Sequence, residues 1–361
     1  MSMEISITRN PHPVDDARLA EILADPGFGL HFTDHMFTVE WTPERGWHDA
    51  RITPYGPLSL DPATAVLHYA QETFEGMKAY RHEDGSIWSF RPEANAERMI
   101  RSSQRLALPE LPVEDFIQAI DALVEIDQRW VPDAAGEKSL YLRPFMFASE
   151  KFLGVRPSQH VTFMVIASPA GSYFKGGVKP VSLWLTEDYT RAGRGGMGAA
   201  KTGGNYASSL VAQQQAIAQG CDQVVFLDAQ EGTYVEELGG MNMYFLYADG
   251  RIVTPETGTI LEGITRASII ELATRLGHPV EERKFAIDEW RDGVRDGAIK
   301  EIFACGTAAV VTPVGKLVWD GGEVPAATEG TGELTGRIRQ ELVDIQFGRA
   351  EDAFGWMHKI C

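Results

Sequence analysis

Six of the twelve residues from Gly193 to Gly204 are glycine. A helix or strand loses stability at each glycine, because that residue gives up the most backbone freedom on ordering. The run therefore has to be a loop, between a strand-like "VSLWLT" and a helix-like "ASSLVAQQQAIAQG". It contains a formal G-x-G-x-x-G at Gly193, Gly195 and Gly198, and Asp228 ends the next strand-like segment, where a ribose-binding acid would sit. A dinucleotide turn needs the strand to end at the first glycine and the helix to open at the third. Here "EDYTRA" intervenes on one side and "AAKTGGN" on the other, and Gly203 and Gly204 would break a helix begun at Gly198. A P-loop fails as well, because Ala200 stands where the glycine before the lysine belongs.

What the run does provide is a setting for Lys201, just ahead of a helix that Asn205 is expected to cap. Apart from Lys201 itself, no charged residue lies between Met197 and Val211. Two readings stay open at this point. Lys201 is either an ordinary solvated lysine or an amine desolvated enough to attack a carbonyl cofactor.

The rest of the chain mixes strand-like and helical segments without a strict βαβ rhythm, which predicts an α+β fold. "HMFTVEW", "SIWSFRP", "SLYLRPFMFAS" and "HVTFMVIAS" read as strands, as does "DQVVFLD"; "MNMYFLYADGRIVTP" reads as two strands joined by an Asp-Gly turn. "NAERMIRSSQRLAL" and "PVEDFIQAIDALVEIDQRWV" have helical spacing, the second with Phe116, Ile120, Leu123 and Ile126 on one face. "TRASIIELATRLG" reads as a helix closed by glycine. With 361 residues, about two domains are expected. The Gly/Pro/Ser-rich stretch near "ASPAGSYFKGGVKP" divides them into 1–170 and 182–361, joined by 171–181.

A net charge of −18 argues against nucleic-acid partners, and any anionic ligand must be held by local Arg, Lys or backbone N–H groups. Three scattered cysteines form no C-x-x-C, so neither a disulfide framework nor a metal site is expected. The polar start and the short apolar runs predict no signal peptide and no membrane span, hence a cytoplasmic protein.

At "KTGGNYASSL" and "YVEELGGMNMYFL" the chain resembles the branched-chain aminotransferases of the fold-type IV pyridoxal 5'-phosphate (PLP) enzymes. The likeness continues through "FTDHMFTVEW", "LHYAQETFEGMKAYR", "FRPEANAERM", "YLRPFMFAS", "SYFKGG", "GITRASI" and "CGTAAVVTPV". It implies two α/β domains of the D-amino-acid aminotransferase-like architecture, with the cofactor at their interface. It further implies that Lys201 carries PLP and shuttles the reaction's proton, and that Glu237 pairs with the pyridine nitrogen. In a strand only one of Glu236 and Glu237 can face the ring, and the resemblance selects Glu237. It also implies that Tyr206 hydrogen-bonds the phenolic oxygen, and that Arg91, Ile264, Thr265 and Thr307 hold the phosphate. For the substrate it implies Phe28, Tyr69, Phe74, Tyr141, Arg143, Tyr173, Gly240 and Ala308. The "YLR" alternation puts Tyr141 and Arg143 on one strand face, where Arg143 could receive a distal carboxylate.

The implied reaction is ping-pong transfer of an amino group between leucine, isoleucine or valine and 2-oxoglutarate, by a homodimer. Gly240 stands where many members carry threonine, and Ala309 and Thr312 replace the C-x-x-C of some members. D-amino-acid transamination, aminodeoxychorismate lysis and nucleotide binding are the competing readings.

Overall fold

The computed structural model describes residues 3–171 and 178–361. The chain divides into two compact units. The first comprises Met1–Tyr173, Ala200–Gly203 and Asp344–Cys361; the second comprises Phe174–Ala199 and Gly204–Val343. The C-terminal stretch, which sequence spacing groups with the second half, thus belongs with the first unit. Its strand Met357–Lys359 pairs antiparallel with Ile87–Phe90. The short segment holding Lys201 also belongs with the first unit, although the chain on both sides of it lies in the second.

In the first unit the described strands form one nine-stranded sheet. Its centre is the long antiparallel pair Ser139–Ala148 and Val161–Ala170, in register Tyr141 to Ser168 and Arg143 to Ile166. Strand alternation divides the side chains of Ser139–Ala148. Leu140, Leu142 and Met146 enter the core, while Tyr141, Arg143 and Phe145 are half-buried. The helix Val113–Ile126 covers the core with Phe116, Ala119, Ile120 and Leu123, and the ring of Phe116 lies 6.0 Å from that of Phe163. The expected Ile126 is only partly buried, at the helix end. The helix Pro92–Arg105 accounts for the other helical segment of this half.

The second unit holds another nine-stranded sheet among the described residues, with Val310–Trp319 and Ile299–Gly306 at its centre. Val181–Leu185 runs parallel to both of its neighbours, and most other pairs are antiparallel. As read from the Asp-Gly turn, Asn242–Tyr247 and Ile252–Pro255 form an antiparallel pair, with Gly250 at positive φ. The core stacks Phe245 on Phe285 at 3.8 Å, with Trp290 edge-on. The helix Gly203–Ala218 packs Ala212 and Ala216 against Val224 and Phe226. Among the described residues no helix is long and apolar enough to cross a membrane.

Candidate active site

The glycine run is irregular backbone only as far as Thr202; Gly203 and Gly204, expected in the loop, instead open the helix Gly203–Ala218. Gly198 is required by close approach, since a Cβ there would collide with the carbonyl oxygen of Thr259. Asn205 does not cap the helix. It lies inside the first turn and donates to the carbonyl of Met197. The carboxylate of Glu72, from the strand Glu72–Phe74, instead accepts from Gly203 N–H and from the Thr202 hydroxyl. Asp228 accepts from the backbone N–H groups of Gln230, Glu231, Thr233 and Tyr234. Both of its oxygens are thereby committed to a turn, which removes the ribose-binding role.

Lys201 is held at both of its backbone polar groups. Its N–H donates to Ser102 Oγ at 3.0 Å, and its carbonyl accepts from Thr73 Oγ1 at 2.8 Å and Phe74 N–H at 3.0 Å. Its Nζ lies 4.7 Å from the centre of the Phe74 ring. The residue as a whole is half-buried. Burial of the amine pulls its pKa down to about 8, helped by the Arg98 cation and partly offset by Glu75. Arg98 and Glu75 form a buried fork, with Nε to Oε1 at 2.8 Å and Nη2 to Oε2 at 2.7 Å, and Asn95 donates to the same carboxylate.

Around this amine the first unit gathers much of the expected substrate set. Arg143 donates to the Tyr141 hydroxyl at 2.9 Å, and its guanidinium stacks 4.8 Å from the Phe74 ring centre. Phe28 meets Tyr141 edge-on at 5.0 Å. A Cβ on Gly76 would collide with the Tyr141 hydroxyl. The hydroxyl of Tyr69 donates to the carbonyl of Leu153. Arg91 takes a left-handed backbone at φ 49°, and its guanidinium stacks on Trp356 at 5.4 Å. Tyr173 lies outside the described residues.

The second unit gathers a different set. Glu237 is buried and pairs with the buried Arg191, whose guanidinium also donates to the carbonyl of Gly198 at 3.2 Å. Glu236, its strand neighbour, accepts from the Thr259 hydroxyl. Gly240 packs under the Tyr206 ring, where a Cβ would sit 3.4 Å from Cε1. That is an ordinary contact, so a Cβ at this position has room. Gly306, which precedes Thr307 and Ala308, packs against Gly240 and Met241. Gly263 precedes the helix Ile264–Arg275, and a Cβ on it would collide with the Asn242 side chain. No side chain caps this helix, so the N–H groups of Ile264 and Thr265 are suited to an anion.

Arg191 is the residue that sequence reasoning missed. It stands in an irregular segment, where no periodicity indicates which way a side chain points. A basic residue ten positions before the lysine was the only available signal.

The family model for amino-transferase class IV matches residues 72–317. The chain is 58% identical over 357 residues to a probable branched-chain-amino-acid aminotransferase of Streptomyces coelicolor, covering 99% of this chain and 98% of that one. It is 55% identical to the branched-chain-amino-acid aminotransferase of Mycolicibacterium smegmatis, again over 99% and 98%. Among solved structures, a T.th. branched-chain amino acid aminotransferase with pyridoxamine 5'-phosphate superimposes with a TM-score of 0.75 at 29% identity. That match covers 90% of this chain and 98% of the other.

Proposed function

Because the chain belongs to the amino-transferase class IV family, we propose that it is a PLP-dependent branched-chain amino acid transaminase. It moves the amino group reversibly between L-leucine, L-isoleucine or L-valine and 2-oxoglutarate. The observation that carries this reading is the Lys201 amine, with its pKa lowered to about 8 and its backbone tied down on both sides.

The residues present fit the cofactor. Lys201 offers a buried amine, Glu237 a buried carboxylate for a ring nitrogen, and the uncapped helix end at Ile264 a cradle for phosphate. When bound, PLP supplies an aldehyde carbon that condenses with amines and a ring that draws electron density from the substrate's α-carbon. In this reading Glu237 holds the ring nitrogen's proton, and Arg191 keeps that carboxylate in place. Tyr206 donates to the phenolic oxygen. Arg91, Thr265, Thr307 and the N–H groups of Ile264 and Thr265 bind the phosphate.

In this reading Lys201 would carry the proton between the substrate's α-carbon and the cofactor's C4′, two atoms along across the amine nitrogen. A pKa near 8 leaves about a tenth of such amines neutral at pH 7, against about one in three thousand at the ordinary value of 10.5. Phe28, Phe74 and Tyr141 offer an aromatic wall that would suit a branched aliphatic side chain. Arg143 receives the distal carboxylate of glutamate, so that acidic and apolar partners alternate in one pocket. Tyr69, Tyr173, Gly240 and Ala308 complete the proposed substrate set, in a homodimer of the cytoplasm. Assays with L-leucine, D-alanine and aminodeoxychorismate test the reading. Transamination of L-leucine with 2-oxoglutarate, absent in Lys201→Ala, is expected; turnover of either other substrate in preference would overturn it.

A further inference from the structure

We propose that Ser102 and Thr73 are positioning residues for Lys201, fixing the root of the side chain from which its amine works. The inference rests on Lys201 being the cofactor lysine.

Lys201 stands in a stretch with little intrinsic stiffness, with Gly198 on one side and Gly203 and Gly204 on the other. Glycine on both sides leaves the backbone many competing conformations. Something outside the segment must select one. The segment Ala200–Gly203 belongs with the first unit while its flanks lie in the second, so its bonds to the first unit do that selecting.

Those bonds are specific and end on fully buried hydroxyls. Ser102 Oγ accepts from Lys201 N–H and itself donates to the Arg98 carbonyl at 2.9 Å. The serine thus relays the lysine's backbone onto the helix Pro92–Arg105. That helix is in turn fastened by the Arg98 and Asn95 bonds to Glu75. From the strand side, Thr73 Oγ1 and Phe74 N–H converge on the Lys201 carbonyl. Glu72 then fixes the next two residues through the Thr202 hydroxyl and Gly203 N–H. Both backbone polar groups of Lys201 are satisfied from the first unit, so losing either hydroxyl removes one of these bonds in a closed environment.

The consequence is chemical as well as structural. An amine that must reach first an aldehyde and then an α-proton works only from a narrow range of positions, and small misplacements cost large factors in rate. A merely stabilising serine would lower the unfolding midpoint without touching the amine's delivery. A positioning serine slows the steps in which the amine participates.

The test uses Ser102→Ala, Thr73→Val and Thr73→Ser, with Ser103→Ala as control. Ser103 is equally buried on the same helix, but its hydroxyl donates to Met146 Sδ and not to Lys201. PLP is added to each apoprotein, and the growth of the visible band of lysine-bound cofactor is timed. kcat and KM for L-leucine and the unfolding midpoint are also measured. Ser102→Ala and Thr73→Val are expected to slow band growth and lower kcat about tenfold, the weight of one lost hydrogen bond. KM should stay within about twofold, while Thr73→Ser and Ser103→Ala behave as wild type. If Thr73→Val does not fold, Ser102→Ala decides. Wild-type band growth and kcat in Ser102→Ala, or an equal loss in Ser103→Ala, overturns the proposal. A wild-type protein that forms no band would instead overturn the functional reading beneath it.

Discussion

Arg191 and Glu237 form an ion pair in which both side chains are buried, and the same guanidinium reaches the carbonyl of Gly198. One residue thus anchors both the acid proposed for the cofactor's ring and the glycine run that leads to Lys201. Removing one partner of a buried pair leaves an uncompensated charge, at a cost of about 3–5 kcal/mol. Arg191→Met should lose stability of that order in urea unfolding and bind PLP more weakly in titrations of the apoprotein. Arg191→Lys should recover only part, because an ammonium lacks the planar fork. An unchanged unfolding midpoint in Arg191→Met would show that the pair holds nothing.

The Lys201 amine should make the stability of the apoprotein depend on pH. Its folded pKa of about 8 lies below the ordinary 10.5, so the unfolded chain binds more protons between those values. Stability therefore rises with pH across that window. The penalty, on the order of 3 kcal/mol, is fully present below about pH 8 and gone above about pH 10.5. Unfolding of wild type and Lys201→Met at pH 7, 8, 9 and 10 isolates it. The gap in favour of the methionine variant should shrink as pH rises. A gap independent of pH would mean that the amine is not desolvated.

Glu75→Gln tests the charge balance beneath that amine. Glu75 pairs with Arg98 and partly offsets its effect on Lys201. The variant should be destabilised by about 3–5 kcal/mol through the unpaired arginine. In protein that remains folded, the pH midpoint for reaction of the apoprotein with PLP should move down. A midpoint that stays put or rises would contradict the assigned role of Glu75.

Gly76→Ala should act on the substrate side. The added Cβ collides with the Tyr141 hydroxyl, which accepts from Arg143. Displacing Tyr141 disturbs the arginine proposed to bind the distal carboxylate. KM for glutamate should rise about tenfold, the weight of a lost hydrogen bond to a charged group, and KM for L-leucine less. Equal effects on both substrates would place Arg143 elsewhere in the cycle.

How much of this was legible in the sequence depended on whether the cause was local. The alternation in "YLR" correctly put Tyr141 and Arg143 on one face, because strand side chains have a fixed period of two. Gly250 and the strands around it followed from Asp-Gly turn chemistry. The helix after Lys201 was legible too, but its cap was not. The local rule chose Asn205, whereas the acceptor is Glu72, 131 residues upstream of Gly203. Asp228 and Arg191 show the same limit. Asp228 satisfies a turn just downstream, and Arg191, itself in an irregular segment of no fixed period, pairs with Glu237 in a strand far along the chain. The return of the C-terminal strand to Ile87–Phe90 is a pairing between distant segments, which spacing within either one does not specify.

The most direct test of the central claim is the absorption spectrum of the purified protein with added PLP, before and after L-leucine. Wild type should show a visible band that L-leucine bleaches and 2-oxoglutarate restores, and Lys201→Ala should show neither the band nor the response. A wild-type protein that takes up no PLP, or a Lys201→Ala variant that responds to L-leucine as wild type does, would contradict the account.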